Sequence, residues 1–174
     1  MSLKLHLGCG KRKIEGFIHI DNDSYPHLDY CRDIRDLSIF PDNSVDLIYS
    51  SHAFEYFNNP AEVLTEWKRV LKDGGKLRLS VPDFAQLVKV YRKTDDITKV
   101  KGALYGHWGD KQHFTCYDKR SLGMLLWDAG FSAIEEWDWR LTEHCNVDDY
   151  SQAYFPHMDK ENGIQISLNI QAIK

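Results

Sequence analysis

Two glycines one residue apart, Gly8 and Gly10, directly follow the run Leu3-Lys-Leu-His-Leu7, and a carboxylate, Asp21, closes the next apolar run, Phe17-Ile-His-Ile-Asp21. Glycine has no Cβ, so the backbone N–H groups of Gly8, Cys9 and Gly10 can approach a ligand closely. A carboxylate at the end of the next strand can accept hydrogen bonds from both hydroxyls of a ribose. Together they describe a nucleoside pocket on a parallel sheet. Asp33-Ile34 follows a short third apolar stretch and could offer an acceptor and an apolar surface to a base. Ser50, Ser51 and His52 end the run Val45-Asp-Leu-Ile-Tyr-Ser-Ser51 and would border the reacting group. Proton transfer needs a group that titrates near neutrality, and the candidates are His52, His107 and His113, with Glu55 and Asp83 behind them. His113 ranks first, because it sits between a glycine-rich stretch and a helix start.

The chain has 174 residues and a formal net charge of -4, enough for one full core and too acidic for broad phosphate neutralisation. Nucleic acid is therefore an unlikely partner. Lys11-Arg12-Lys13 is the one dense basic run, either a solvated loop or a handle for an anion. Cys9, Cys31, Cys116 and Cys145 form no C-x-x-C pair, so neither zinc nor a disulfide framework is indicated. His107, His113, His144 and His157 lack ligand spacing, and no metal is expected. With the first strand starting at Leu3 and no apolar run of membrane-spanning length, the expectation is a cytoplasmic protein with no membrane association.

The elements that position these residues read as alternating strands and helices. Strands are expected at 3–7, 17–21, about 28–32, 45–51 and 76–81, with Phe131 to Trp139 and Gln165 to Ile173 as a closing pair. Only Gly8 to Gly16 separates the first two strands, too short for a full crossover helix. Asn59 and Pro60 should open a helix with Val63, Leu64, Trp67, Val70 and Leu71 on one face, stopped at Lys72-Asp73-Gly74-Gly75. A second helix should carry Phe84, Leu87, Val88 and Tyr91, and a third should run from a cap at Asp118 to Gly130. Residues 94–115 read as a loop or flap. The fold class is α/β, a Rossmann-like doubly wound, mostly parallel sheet with an antiparallel C-terminal edge strand and shortened N-terminal crossover helices. It forms a single domain over 1–174, with 142–163 inserted between the last two strands.

The series Leu7-Gly8-Cys9-Gly10, Asp21, Asp33-Ile34, Phe40-Pro-Asp-Asn-Ser44-Val-Asp46, His52-Ala-Phe-Glu55-Tyr-Phe57, Glu66-Trp-Lys-Arg69-Val-Leu-Lys-Asp-Gly74-Gly75, Val81-Pro-Asp83 and Ala129-Gly130-Phe131 resembles the class I S-adenosylmethionine (SAM) dependent methyltransferases, in particular their small type 11 members. The resemblance implies SAM as cofactor and S-adenosylhomocysteine as product. Leu7, Gly8, Cys9 and Gly10 would lie against its methionine part, Asp21 would hold the ribose, Asp33 and Ile34 the adenine, and Ser50, Ser51 and His52 would border the methyl group. Two departures stand out: the usual third glycine is absent, and the family's frequent Glu-His pair is here Glu55-Tyr56. A dinucleotide-dependent dehydrogenase would need a helix N-terminus at its pyrophosphate, for which the first crossover has little room.

Methyl transfer is an in-line displacement at an activated carbon, so the protein mainly aligns the partners. A hydroxyl acceptor also needs a base, whereas an amine needs only to arrive neutral. The segment 148–159 is rich in aromatic and hydrogen-bonding side chains and suits a saccharide or sugar-derived acceptor. The functional expectation is methyl transfer to a hydroxyl or amine of such a small polar molecule. The alternative is a SAM-binding sensor or partner subunit without catalysis. With early crossover helices short, one sheet face needs other cover, either from 142–163 and 99–115 folding back or from a second subunit in a homodimer.

Overall fold

Alternation within the strands decides what covers each face of the sheet. The structure, a computed structural model, describes residues 2–106 and 112–174. In chain order it contains β1 (Lys4–Leu7), β2 (Ile18–Asp21), β3 (Tyr30–Cys31), β4 (Val45–Ser51), α1 (Pro60–Val70), β5 (Leu71–Pro82), α2 (Phe84–Thr94), α3 (Thr98–Tyr105), α4 (Lys119–Asp128), β6 (Ser132–Glu136), β7 (Tyr154–Phe155), β8 (Ile164–Gln165) and β9 (Ser167–Ile173). Seven strands form one sheet in the order β3-β2-β1-β4-β5-β9-β6, while β7 and β8 make a separate antiparallel hairpin. From β3 to β5 the neighbours are parallel, and β9 runs antiparallel to both β5 and β6. The last strand is antiparallel as expected, but it sits one place in from the edge, which β6 occupies.

One face is apolar. Leu5, Leu7, Ile20, Ile48, Leu77, Leu79, Val81 and Ile170 pack there with Val63, Leu64, Trp67 and Val70 of α1 and Leu122 and Leu126 of α4. Full burial of such side chains contributes roughly 1.5–3 kcal/mol each and supplies most of the fold's stability. Pro60 opens α1, though Asn59 makes no side-chain cap. That helix stops at Val70, earlier than its periodicity suggests, because Leu71 is already paired with Val45 as the first residue of β5. Asp83 accepts from the amides of Ala85 and Gln86 at the start of α2, and Asp118 with Ser121 forms a capping box on α4. On α2 the buried residues are Leu87 and Val90, while Phe84 and Tyr91 stay largely exposed. Residues 98–105, expected as loop, form α3, whose Val100 packs on Leu87 and Val90.

The other face carries the alternate positions, and these are mostly polar or aromatic. Between the last two sheet strands the chain folds back over this face, and Ile14, Phe17, Leu47, Tyr49 and Trp137 form a second cluster beneath Trp139 and Val147. His144 lies 4.3 Å from the Tyr49 ring, and Tyr49 also packs 5.1 Å from His6. The Tyr49 hydroxyl donates to Asp149 Oδ2 at 2.6 Å, Asn169 Nδ2 donates to the Ser151 carbonyl at 3.0 Å, and Glu143 receives both Lys4 and Arg78 at 3.1 Å. The insertion thus provides the cover that the short crossovers do not. That face needs no second copy of the chain.

Residues 8–17, all described, hold turns and no helix between β1 and β2. His19 braces this connection from below. Its Nε2 accepts from the Ile14 amide at 2.9 Å, so the ring proton resides on Nδ1, 3.3 Å from Asp29.

Burial and its partnership with Asp149 push the Tyr49 phenol well above its ordinary pKa, so it remains the donor. Tyr49→Phe should cost about 1.5–3 kcal/mol, the range for a hydrogen bond to a charged group, in a denaturant titration. Burial also pushes His6, His19 and His144 below the ordinary 6.5. They stay neutral in the folded chain but take up protons when unfolded, so their contribution is full above about pH 6.5 and is lost as pH falls. The melting temperature should drop between pH 7 and pH 5. His144→Phe, which removes an imidazole with both nitrogens unpartnered among the described residues, should shrink that drop.

Candidate active site

The carboxyl ends of β1, β2 and β4 open into one cavity of about 580 Å³. Its floor is set by a close approach. Gly8 and Gly10 have φ values of +65° and +54°, the left-handed region that favours glycine. A Cβ on Gly8 would come within 2.5 Å of the Ala53 Cβ, so the turn after β1 and the turn after β4 touch at a point only glycine allows. Asp21 ties the glycine turn to β2, accepting from the Gly10 amide at 2.8 Å and the Asp23 amide at 2.9 Å. A carboxylate offers about four acceptor directions, so two of them remain for the hydroxyls of a ribose.

Of the residues predicted for the cofactor, Gly8, Cys9, Gly10, Asp21, Asp33, Ile34, Ser51 and His52 line this cavity. Leu7 and Ser50 do not. Each belongs to the opposite parity of its strand, Leu7 in the main core and Ser50 fully buried. Asp33 is already engaged, its carboxylate taking the Arg35 guanidinium at 2.9 and 2.5 Å, and those bonds hold its pKa below the usual range. Ile34 presents an apolar side chain beside it.

The other half of the cavity is walled by Arg12, Asp23, Tyr25, Tyr56, Asn58, Gln112, Phe114, Asp149 and Tyr150. The insertion contributes the last two, and Tyr150 lies between the Arg12 guanidinium at 5.0 Å and the His52 ring at 5.2 Å. Tyr25, Asn58, Gln112 and Phe114 carried no spacing signal in the sequence. His6 also reaches the cavity from the polar face, and the alternation Leu5-His-Leu7 was its one mark.

The proposed bases fare differently. His113 is not on the cavity wall: its Nδ1 faces the Ala103 carbonyl at 3.0 Å and its ring meets the Tyr56 ring edge-on at 4.7 Å. The reason is packing, since the neighbouring Gln112 and Phe114 take the wall positions. His107 lies outside the described residues. His52 is on the wall with φ +51°, but its Nε2 is 2.9 Å from Ser167 Oγ and its Nδ1 3.4 Å from Glu55, so both nitrogens face inward. Burial, with His113 nearby, pushes its pKa down to about 3. Asp83 caps α2 and is absent from the wall.

Residues 14–79 match the model of the Methyltransf_11 methyltransferase domain, and the match begins just past the glycine turn. The fold is shared with a SAM-dependent methyltransferase of Thermotoga maritima described as a possible histamine N-methyltransferase, at TM-score 0.62 and 18% identity, covering 100% of this chain and 83% of that one. A SAM-dependent methyltransferase from Archaeoglobus fulgidus gives TM-score 0.61 at 16% identity, over 99% and 86%. The fold is the one these methyltransferases share, while the family match spans less than half of the chain. A protein of transposon Tn4556 in Streptomyces fradiae, itself uncharacterized, is 30% identical over 102 residues, which are 58% of this chain and 28% of that protein. The chain therefore matches less than a third of that relative's length.

The Thermotoga and Archaeoglobus proteins are SAM-dependent, and the residues present here fit SAM: the glycine turn gives backbone access and Asp21 has spare acceptor capacity. The bare turns of residues 8–17 offer no helix N-terminus for a pyrophosphate, and SAM carries none. Among the described residues no helix is long and apolar enough to cross a membrane. Gly8→Ala should weaken SAM binding at least tenfold, because the new methyl drives the Ala53 turn away from the floor. Calorimetric titration reads that loss, and circular dichroism should show the fold retained.

Proposed function

We propose that this domain transfers a methyl group from SAM to a hydroxyl or amine of a small polar acceptor, a saccharide or sugar-derived metabolite, in the cytoplasm. The observation that supports this reading is that one cavity joins two unlike halves. The glycine turn, Asp21, Asp33 and Ile34 suit the adenosyl moiety, while Tyr56, Phe114 and Tyr150 beside Asn58, Gln112 and Asp149 suit a ring with several hydroxyls. When bound, SAM supplies an electrophilic methyl carbon on a sulfonium that leaves readily. The chain's part is alignment: Asp21 would fix the ribose, the Gly8 to Gly10 backbone would hold the amino acid end, and Ser51 and His52 would border the reacting carbon. The acceptor wall would align the acceptor's lone pair with that carbon for an in-line displacement, and the proton that the acceptor gives up would pass to solvent water.

The inward-facing nitrogens of His52 favour a second reading, a domain that binds SAM without using it. Product release separates the two. SAM should bind the wild-type chain in a calorimetric titration, and Asp21→Ala should weaken it by about 1.5–3 kcal/mol. A panel of sugars, amino sugars and simple amines should then release S-adenosylhomocysteine with at least one class. Binding with no release from any class would favour the sensor.

A further inference from the structure

Glu55 lies in a short helical turn, Phe54–Tyr56, just beneath the cavity, and its side chain is fully buried. Neither carboxyl oxygen has a hydrogen-bond partner among the described residues. The titratable groups facing it are His52 with Nδ1 at 3.4 Å, His113 with Nε2 at 3.9 Å, and Tyr56, Cys116 and Tyr117 from the flanking segments. No lysine or arginine pairs with it among the described residues. A carboxylate in such a place would be an uncompensated buried charge, whereas a carboxylic acid needs one acceptor.

Proton counting identifies that acceptor. A carbonyl oxygen has no proton, so in the close contact between Ser167 Oγ and the Tyr150 carbonyl the hydroxyl must donate. With its single proton spent there, Ser167 can only accept from His52 Nε2, 2.9 Å away. His52 is therefore the Nε2–H tautomer, and its bare Nδ1 points at Glu55 Oε1. We propose that Glu55 is a positioning residue of the acceptor wall: as a neutral acid it donates to His52 Nδ1, and the chain Glu55, His52, Ser167 holds the Tyr150 carbonyl. At 3.4 Å the two atoms are already at the outer limit of hydrogen-bond distance, and the bond requires the Glu55 carboxyl to turn toward the ring. The name acceptor wall rests on the methyltransferase reading, but the proton chain does not.

Burial pushes the Glu55 carboxyl up to about 8, so the chain is intact at neutral pH and reverses above it. Once ionised, Glu55 accepts, the imidazole proton moves to Nδ1, and Nε2 competes with Tyr150 for the Ser167 proton. Imidazole nitrogen NMR on 15N-histidine protein, with His52 assigned from the His52→Asn spectrum, reads this directly. At pH 6.5 the His52 signals should show the Nε2–H tautomer, switching to Nδ1–H between pH 7 and 9, and the Tyr150 and Ser151 amide signals should move with the same midpoint. Glu55→Gln, whose amide donates at every pH, should keep the Nε2–H form throughout. A wild-type His52 found as Nδ1–H or as imidazolium at pH 6.5, or a Glu55→Gln protein that switches like wild type, overturns the proposal. If that variant does not fold, the wild-type titration alone decides. Failure of the same sample to bind SAM would count against the methyltransferase reading and leave the proton chain standing.

Discussion

The hydrogen bond from the Tyr49 hydroxyl to Asp149 joins residues a hundred positions apart, and both the cover of the sheet and one wall of the cavity depend on it. Tyr49 stands in the middle of the sheet on its polar face, and Asp149 stands in the insertion that covers that face. Because the bond is buried, leaving either group unpaired would cost about 1–3 kcal/mol, so the insertion has one favoured seat. From that seat Asp149 and Tyr150 reach the cavity, opposite the glycine turn. Cover for the sheet and a wall for the site come from the same contact.

The polar face explains why that cover is not a helix. A parallel strand buried on both sides usually reads as a continuous apolar run, yet here His6, His19, Tyr49, Arg78 and Ser80 interrupt the aliphatic residues of the parallel strands, as Ser167 and Asn169 do those of antiparallel β9. A helix with an apolar stripe could not satisfy those groups. Irregular chain can, since its own amides, carbonyls and carboxylates point in many directions. Asn169 donates to the Ser151 carbonyl, Arg78 pairs with Glu143, and the Trp137 indole donates to the Leu79 carbonyl. The cost falls on the histidines, which must remain neutral to stay inside.

The site itself is organised by crowding. Two turns that both leave the carboxyl edge of the sheet meet where Gly8 touches Ala53, and His52 adopts a left-handed φ next to that contact. Such a conformation in a non-glycine residue persists only where its surroundings hold it, here through Ser167 on one side and Glu55 on the other. The result places the imidazole at the cavity while turning its nitrogens toward Ser167 and Glu55.

Much of this could be read from residue order. Gly8, Gly10 and Asp21 mark the cavity end of the sheet because their chemistry is local: a turn without Cβ and a carboxylate at a strand terminus need only neighbours in sequence. The capped start of α4 and the shortened first crossover follow for the same reason. Tertiary structure alone decided which parity of each strand faces the cavity, and so why Ser51 is at the site and Ser50 is not. It decided that Gln112 and Phe114 take the wall while His113 turns toward Ala103, and that residues 142–163 cover the chain's own sheet. These outcomes depend on contacts between segments far apart in the chain. A hydrogen bond such as Tyr49 to Asp149 leaves no periodicity in either segment by which it could be foreseen.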